Sequence, residues 1–216
     1  MLVVSDRTQA SQVGSLAAAL ISAGEAFYNQ GWALGTSGNF SAVIERSPLQ
    51  VLITPSGTAK GALRPEDFLV IDGALGILRG HGKPSAESEL HAAIYRARPE
   101  AGAVLHTHSI WATLLSERFA ENAGLEIRGF EMLKGLAGVS THEHSEHVPV
   151  LENSQDYAAF GHQVHELLLS EPLVHGFLIR RHGLYTWGSH VAEARRHVEI
   201  FEFLFEVTGR LWERGG

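Results

Sequence analysis

The run Ala101-Gly102-Ala103-Val104-Leu105 passes without a break into His106-Thr107-His108. A stretch this apolar and this short reads as a strand inside a sheet, and a strand turns alternate side chains to opposite faces. His106 and His108 therefore share a face, where two imidazoles either grip one divalent cation or make ordinary hydrogen bonds. His182 sits in a similar setting, after Phe177-Leu178-Ile179 and directly before Gly183. Three neutral imidazoles with a fourth position open form the donor set of a catalytic zinc, which polarises a substrate oxygen at the free position.

The rest of the chain supplies a frame for that strand. Val13, Leu16, Ala17, Leu20, Ile21, Gly24 and Phe27 follow the spacing of an amphipathic first helix that ends near Asn29-Gln30-Gly31. The pattern predicts short strands at about 40–45, 51–54, 68–72 and 76–79, separated by Pro55-Ser56-Gly57, Gly61 and Asp72-Gly73. A helix follows over 85–97 with Ser85 as N-cap, then the strand over 101–108 and a helix over 109–117. Residues 125–150 read as a mixed region. A helix at 155–169, strands at 175–181 and 184–187, and a long helix from 190 to 208 complete the chain. This mixture predicts one layered α/β domain over residues 1–216 rather than a regular parallel wind.

Composition narrows the chemistry. There is no cysteine, so any metal must be held by nitrogen and oxygen. The net charge of −7, with no basic run, argues against nucleic acid or an anionic membrane as partner. An anionic substrate must then be held by local donors. No stretch approaches the ~20 apolar residues of a membrane span, and the N-terminal apolar run is too short for a signal peptide, so the expectation is a cytoplasmic protein.

Glu87 shares a helical stripe with Leu90, His91 and Ile94. It is either a first-turn acid favoured by the helix dipole or an inward carboxylate with metal or proton-transfer work. Thr36-Ser37-Gly38-Asn39, Pro55-Ser56-Gly57 and Pro84-Ser85 are either simple turns or donor-rich loops that cradle a phosphate. Glu131 lies among apolar and glycine neighbours, equally readable as a surface acid or a working one. The cluster Thr141-His142-Glu143-His144-Ser145-Glu146-His147 competes for the metal but sits in polar sequence, which predicts a solvated loop. His81, His91, His162, His165, His175, His190 and His197 have no partner legible in the sequence and read as structural or surface histidines.

Five ordered segments then stand together: Gly-Thr-Ser-Gly-Asn (35–39), Thr-Pro-Ser-Gly (54–57), Lys-Pro-Ser-Ala-Glu (83–87), Leu-His-Thr-His-Ser (105–109) and Arg-His-Gly-Leu-Tyr-Thr-Trp-Gly (181–188). In this order they make the chain resemble the class II aldolase/adducin family along essentially its whole length. The resemblance implies an α/β/α domain with a central, mainly antiparallel sheet and a cyclic homotetramer with sites between subunits. It implies one zinc on His106, His108 and His182, and a phosphate cradle of Ser37, Gly38, Asn39, Ser56, Gly57 and Ser85. Glu87 matches the family's acid/base carboxylate, which can also approach the metal. The segments 130–135, 141–153 and 183–188 are similar to the branch whose members dehydrate 5-methylthioribulose 1-phosphate in methionine salvage. In that branch the resemblance makes Glu131 the acid/base. The alternatives are a sugar-phosphate aldolase or epimerase of fuculose- or ribulose-phosphate type, and a non-catalytic adducin-like module.

Overall fold

The computed structural model describes residues 2–215. Among these the strands are β1 (Asn39–Arg46), β2 (Leu49–Ile53), β3 (Leu69–Asp72), β4 (Ile77–Arg79), β5 (Ala103–Thr107), β6 (Gly124–Arg128), β7 (Ser145–Leu151), β8 (Gly176–Ile179) and β9 (Gly183–Gly188). They form a nine-stranded sheet in the order β4-β3-β2-β1-β5-β9-β8-β7-β6. Neighbours run antiparallel except β7 and β8, which are parallel. The helices are α1 (Leu2–Asn29), α2 (Ser88–Ala97), α3 (Ile110–Phe119), α4 (Tyr157–Ser170) and α5 (Val191–Gly215). The expected α/β layering with a mainly antiparallel sheet is what the chain adopts.

Strand alternation decides which side chains meet which helix. On one face Ile53, Ile71, Val104, Phe177 and Tyr185 pack with Leu90 and Ile94 of α2 and with Phe160 and Val164 of α4. On the other, Phe40, Leu52, Val70 and Leu105 pack under Leu20 and Phe27 of α1 and Val198 of α5. A third cluster joins α3 and α5 to Leu125, Val148, Leu178 and Leu184. The sheet is thus covered on both faces, and β5 runs through its centre, buried at every residue. Period two puts His106 on the α2 side with Val104, and Thr107 on the α5 side with Leu105.

Three expectations need correction. The helix expected from Ser85 begins at Ser88; Ser85 Oγ accepts the Glu87 amide at 3.2 Å and caps the preceding turn. Residues 125–150 contain two paired strands, β6 and β7, flanking a short 3₁₀ turn over Glu131–Gly135. Leu125 and Ile127 are buried while Glu126 and Arg128 are exposed, a period-two pattern too brief to stand out among polar neighbours. The segment after Ser145 is therefore β7 and not a solvated loop. Among the described residues no helix is long and apolar enough to cross a membrane.

Candidate metal centre

Three pieces of backbone converge at the end of β5. His106 lies opposite Asn39 of β1 and opposite Tyr185 of β9. His108 lies just past the strand, its amide donating to Trp32 O at 2.7 Å. His182 closes the tight β8–β9 connection, its amide turned back to Ile179 O at 3.0 Å. Two glycines let these pieces approach. A Cβ on Gly183 would stand 2.0 Å from Thr107 O, so only glycine lets β9 lie against β5 and bring His182 to His106. Gly38 has φ of +73°, and a Cβ there would stand 2.6 Å from His106 O.

The outcome is a triangle of imidazole nitrogens. The three Nε2 atoms are separated by 2.7 Å (His106–His108), 3.3 Å (His106–His182) and 3.1 Å (His108–His182). A tetrahedral ion with bonds of about 2.0–2.1 Å has ligand-to-ligand edges of about 3.3 Å, so the donors fit one small divalent cation. The tautomer fits too. His106 donates Nδ1–H to Leu184 O at 2.8 Å, which leaves its Nε2 lone pair facing the other two rings. Burial, then the neighbouring His108 and His182 rings, hold the pKa of His106 well below the usual imidazole range. Burial does the same for His108, to about 4, so both rings stay neutral and free to ligate. Tyr185 stacks flat on His106, with centroids 3.9 Å apart, and fixes the ring plane.

Glu87 completes the cluster. Its Oε1 is 3.0 Å from His182 Nε2 and its Oε2 is 3.9 Å from His106 Nε2. It is the N-cap residue of α2, but its side chain makes no capping hydrogen bond and turns to the histidines instead. Burial opposes its charge, but the hydrogen bond from His182 and the surrounding imidazoles hold its pKa below the usual carboxylate range. A relay fixes its other oxygen. Asn39 Nδ2 donates to Glu87 Oε2, Asn39 Oδ1 accepts from His91 Nε2, and His91 Nδ1 faces Ser41 Oγ at 2.7 Å. Ser41 Oγ in turn lies 2.7 Å from the Tyr95 hydroxyl. His91 is thus not a bystander but a link that orients Glu87. Burial pushes its pKa down to about 3, so it remains neutral. Its stripe with Glu87 was the available sequence signal.

The three loops lie side by side. Pro55 and Pro84 form a bridge, and the Ser56 amide donates to Lys83 O at 2.9 Å. Ser37 turns its hydroxyl back to Leu34 O at 2.7 Å, while Ser56 and Gly57 remain exposed. Lys60, absent from the sequence reading, joins two of these loops. Its Nζ donates to Thr58 O at 2.6 Å and to Thr36 O at 3.1 Å, and it is buried. Burial pushes the Lys60 pKa down to about 8, against the attraction of Glu87. The phrase Pro55-Ser56-Gly57-Thr58-Ala59-Lys60 held the signal, a cation just after a donor-rich turn.

Glu131 is not among the groups brought together here. Its side chain is 72% exposed, 2.6 Å from Lys134 Nζ and 3.8 Å from His142 Nδ1. Hydrogen bonding to Lys134 lowers its pKa. Elsewhere, His144, Glu146 and His175 gather into a second group of potential ligands. His175 therefore has a partner that its sequence context did not announce.

The chain matches the class II aldolase and adducin N-terminal domain over residues 18–208. It is 46% identical to a methylthioribulose-1-phosphate dehydratase of Pectobacterium atrosepticum over 208 residues, covering 95% of this chain and 98% of that one. It is 47% identical to the enzyme of the same name from Methylococcus capsulatus, with 90% and 93% covered. Among solved structures, L-fuculose-1-phosphate aldolase of Thermus thermophilus superposes with a TM-score of 0.74 at 28% identity, covering 94% of this chain and all of that one. The YgbL protein of Klebsiella pneumoniae superposes with a TM-score of 0.78 at 25% identity, covering 92% and 90%.

Proposed function

The chain belongs to the class II aldolase and adducin family, and we infer that within it this protein is a metal-dependent hydro-lyase. It converts 5-methylthioribulose 1-phosphate to 2,3-diketo-5-methylthiopentyl 1-phosphate in methionine salvage. The observation that carries this reading is the end-to-end similarity to dehydratases, 46% over 95% of the chain, against 28% to the fuculose-phosphate aldolase. The convergent imidazoles supply the matching chemistry.

His106, His108 and His182 hold one zinc ion, for which a nitrogen-rich, thiolate-free set with an open position is suited. Zinc bound there supplies Lewis acidity, polarising substrate oxygen and making the adjacent C–H more acidic. Everything else falls to the chain. Loss of water requires a base for the C3 proton and an acid for the departing C4 hydroxyl. Asn39 holds Glu87 Oε2, while Oε1 faces His182 Nε2 at 3.0 Å; a His182 nitrogen that ligates an ion has no proton to donate, so Oε1 is open to the ion or to a substrate proton. Glu131 carries the proton, taking it from C3 and returning it to the leaving hydroxyl, so that one water leaves; the resulting 3,4-enol gives up its O3 proton and gains one at C4 to become the 2,3-diketone.

Glu131 is exposed and not among the groups gathered at its own chain's centre, so we place it at the centre of a neighbouring copy. A residue that works in trans requires an oligomer, which we take to be a homotetramer with sites between subunits, acting in the cytoplasm on a small phosphorylated ketose. The loops at Ser37-Gly38-Asn39, Ser56-Gly57 and Ser85 hold the C1 phosphate. Lys60 adds a positive charge between two of these loops. With the phosphate held, the reacting carbons are fixed against the centre.

The test is a substrate panel on metal-stripped and zinc-restored protein. Turnover of 5-methylthioribulose 1-phosphate that returns with zinc, with fuculose 1-phosphate and ribulose phosphates left intact, is expected. Preferred cleavage of a fuculose or ribulose phosphate would promote the aldolase reading.

A further inference from the structure

We propose that His144, Glu146 and His175 form a second divalent-metal site, which takes a borderline ion of the zinc type and fixes the segment that follows Glu131. The three donor atoms lie within 4.8 Å of one another. Glu146 Oε2 is 2.8 Å from His144 Nε2 and 3.0 Å from His175 Nδ1. Tetrahedral edges around zinc are about 3.3 Å, so these two edges lie within about half an ångström of what an ion needs, and the ion draws the two imidazoles together.

The hydrogen bonds around the group ask for a cation. His175 Nε2 donates to Ala137 O at 2.8 Å, so in the neutral ring Nδ1 is a bare lone pair. That lone pair faces both oxygens of Glu146, at 3.1 and 3.0 Å. Two acceptors held this close need a positive centre between them, either an added proton or a metal ion. Glu146 is 1% exposed, and among the described residues its ion-pair partners are the two histidines alone. A buried carboxylate without lysine or arginine is costly unless it ligates or is fully hydrogen-bonded. Its Oε1 is aligned by the His175 amide at 2.9 Å, the kind of outer contact that orients a metal ligand.

The elements explain the arrangement. His144 and Glu146 are two apart at the start of β7, so they share a face as His106 and His108 do. His175 immediately precedes β8, the parallel neighbour of β7, whereas His182 follows its other end. A cavity of about 470 Å³ opens beside the group, lined by His144, His175, His197 and Arg98, and gives access for an ion and its waters. Arg98 is committed elsewhere, to Leu168 O and Glu171 O at the end of α4. Ala137, two residues past the 3₁₀ turn that begins at Glu131, is held from both sides, its amide donating to His197 Nε2 at 3.0 Å. An ion on His175 thereby stiffens the path from Glu131 to β7.

Metal-stripped protein is dialysed to equilibrium against Zn²⁺ and bound zinc is counted by mass spectrometry. Two ions per chain are expected in the wild type, one in His144→Ala and one in His106→Ala. A single ion per chain that disappears in His106→Ala overturns the second site and leaves the first intact. A count of two or more that His144→Ala does not lower overturns it too, because the extra zinc then sits elsewhere. A second arm leaves His144 untouched: in His106→Ala/His182→Ala, one Co²⁺ per chain with visible absorption is expected, and no bound Co²⁺ refutes the site.

Discussion

Glu202 offers the sharpest test of how the sheet supports the centre. It projects from α5 behind β5, where Thr107 Oγ1 donates to its Oε1 at 3.1 Å and its Oε2 is buried without a partner. Thr107 is the residue between His106 and His108. Only 3% of Glu202 is exposed, and burial pushes its pKa up from 4.5 to about 7. The folded state therefore binds this proton more tightly than the unfolded chain. The contribution is complete below about pH 4.5, declines as pH rises to about 7, and is flat above. A rise of about 2.5 units at 1.36 kcal/mol each sets the loss at roughly 3 kcal/mol at most. Glu202→Gln keeps an acceptor for Thr107 and cannot ionise. Its unpartnered amide adds a cost independent of pH, so the readout is the slope rather than the offset. Between pH 5 and pH 8 about 2.5 kcal/mol of this is lost, and for a chain of this size 1 kcal/mol moves Tm by about 2–4 °C, so Tm of the variant should gain roughly 5–10 °C on the wild type over that range. Thermal melts across that range, each at fixed metal and protein concentration, make the measurement. Parallel curves would refute a buried titrating carboxyl behind β5.

His106→Ala or His182→Ala should lose the catalytic ion and turnover together, as metal analysis and assay of the same samples will check; full activity in either variant refutes the ligand set. Glu131→Gln should keep zinc and fold yet lose about 10²–10⁴ in kcat. Mixed tetramers of Glu131→Gln and His106→Ala subunits should recover activity that neither parent has, whereas no recovery would place Glu131 outside the neighbour's site. Ser85→Ala should mainly raise KM, because a phosphate contact present in both ground and transition states contributes uniform binding; an unchanged KM removes Ser85 from the cradle.

Much of this arrangement was legible in the chain because short periodicities carry it. The period of two placed His106 and His108, and the stripe Glu87-Leu90-His91-Ile94 turned a carboxylate inward. What escaped depends on contacts distant in sequence. His91 orients Glu87 only because β1 brings Asn39 and Ser41 beneath α2, a separation of about fifty residues that no local pattern encodes. His175 finds Glu146 through a parallel pairing of β7 and β8 that α4 connects. The strand character of residues 145–151 was masked by Glu146, His147 and Pro149, two of them polar residues whose partners lie on other elements. Glu131 shows the same boundary from the other side. Its apolar and glycine neighbours left a surface acid and a working one equally open, and the fold leaves it in solvent, so the role proposed for it depends on a second copy.

Dehydration at the three-histidine centre is told from carbon–carbon cleavage by the identity of the product. Zinc-restored protein is given 5-methylthioribulose 1-phosphate and the products are resolved by mass spectrometry. The account predicts a single phosphorylated product that keeps every carbon of the substrate and has lost one water, formed by the wild type and absent with His106→Ala. Release of a three-carbon phosphate fragment, or an unchanged substrate, would contradict it.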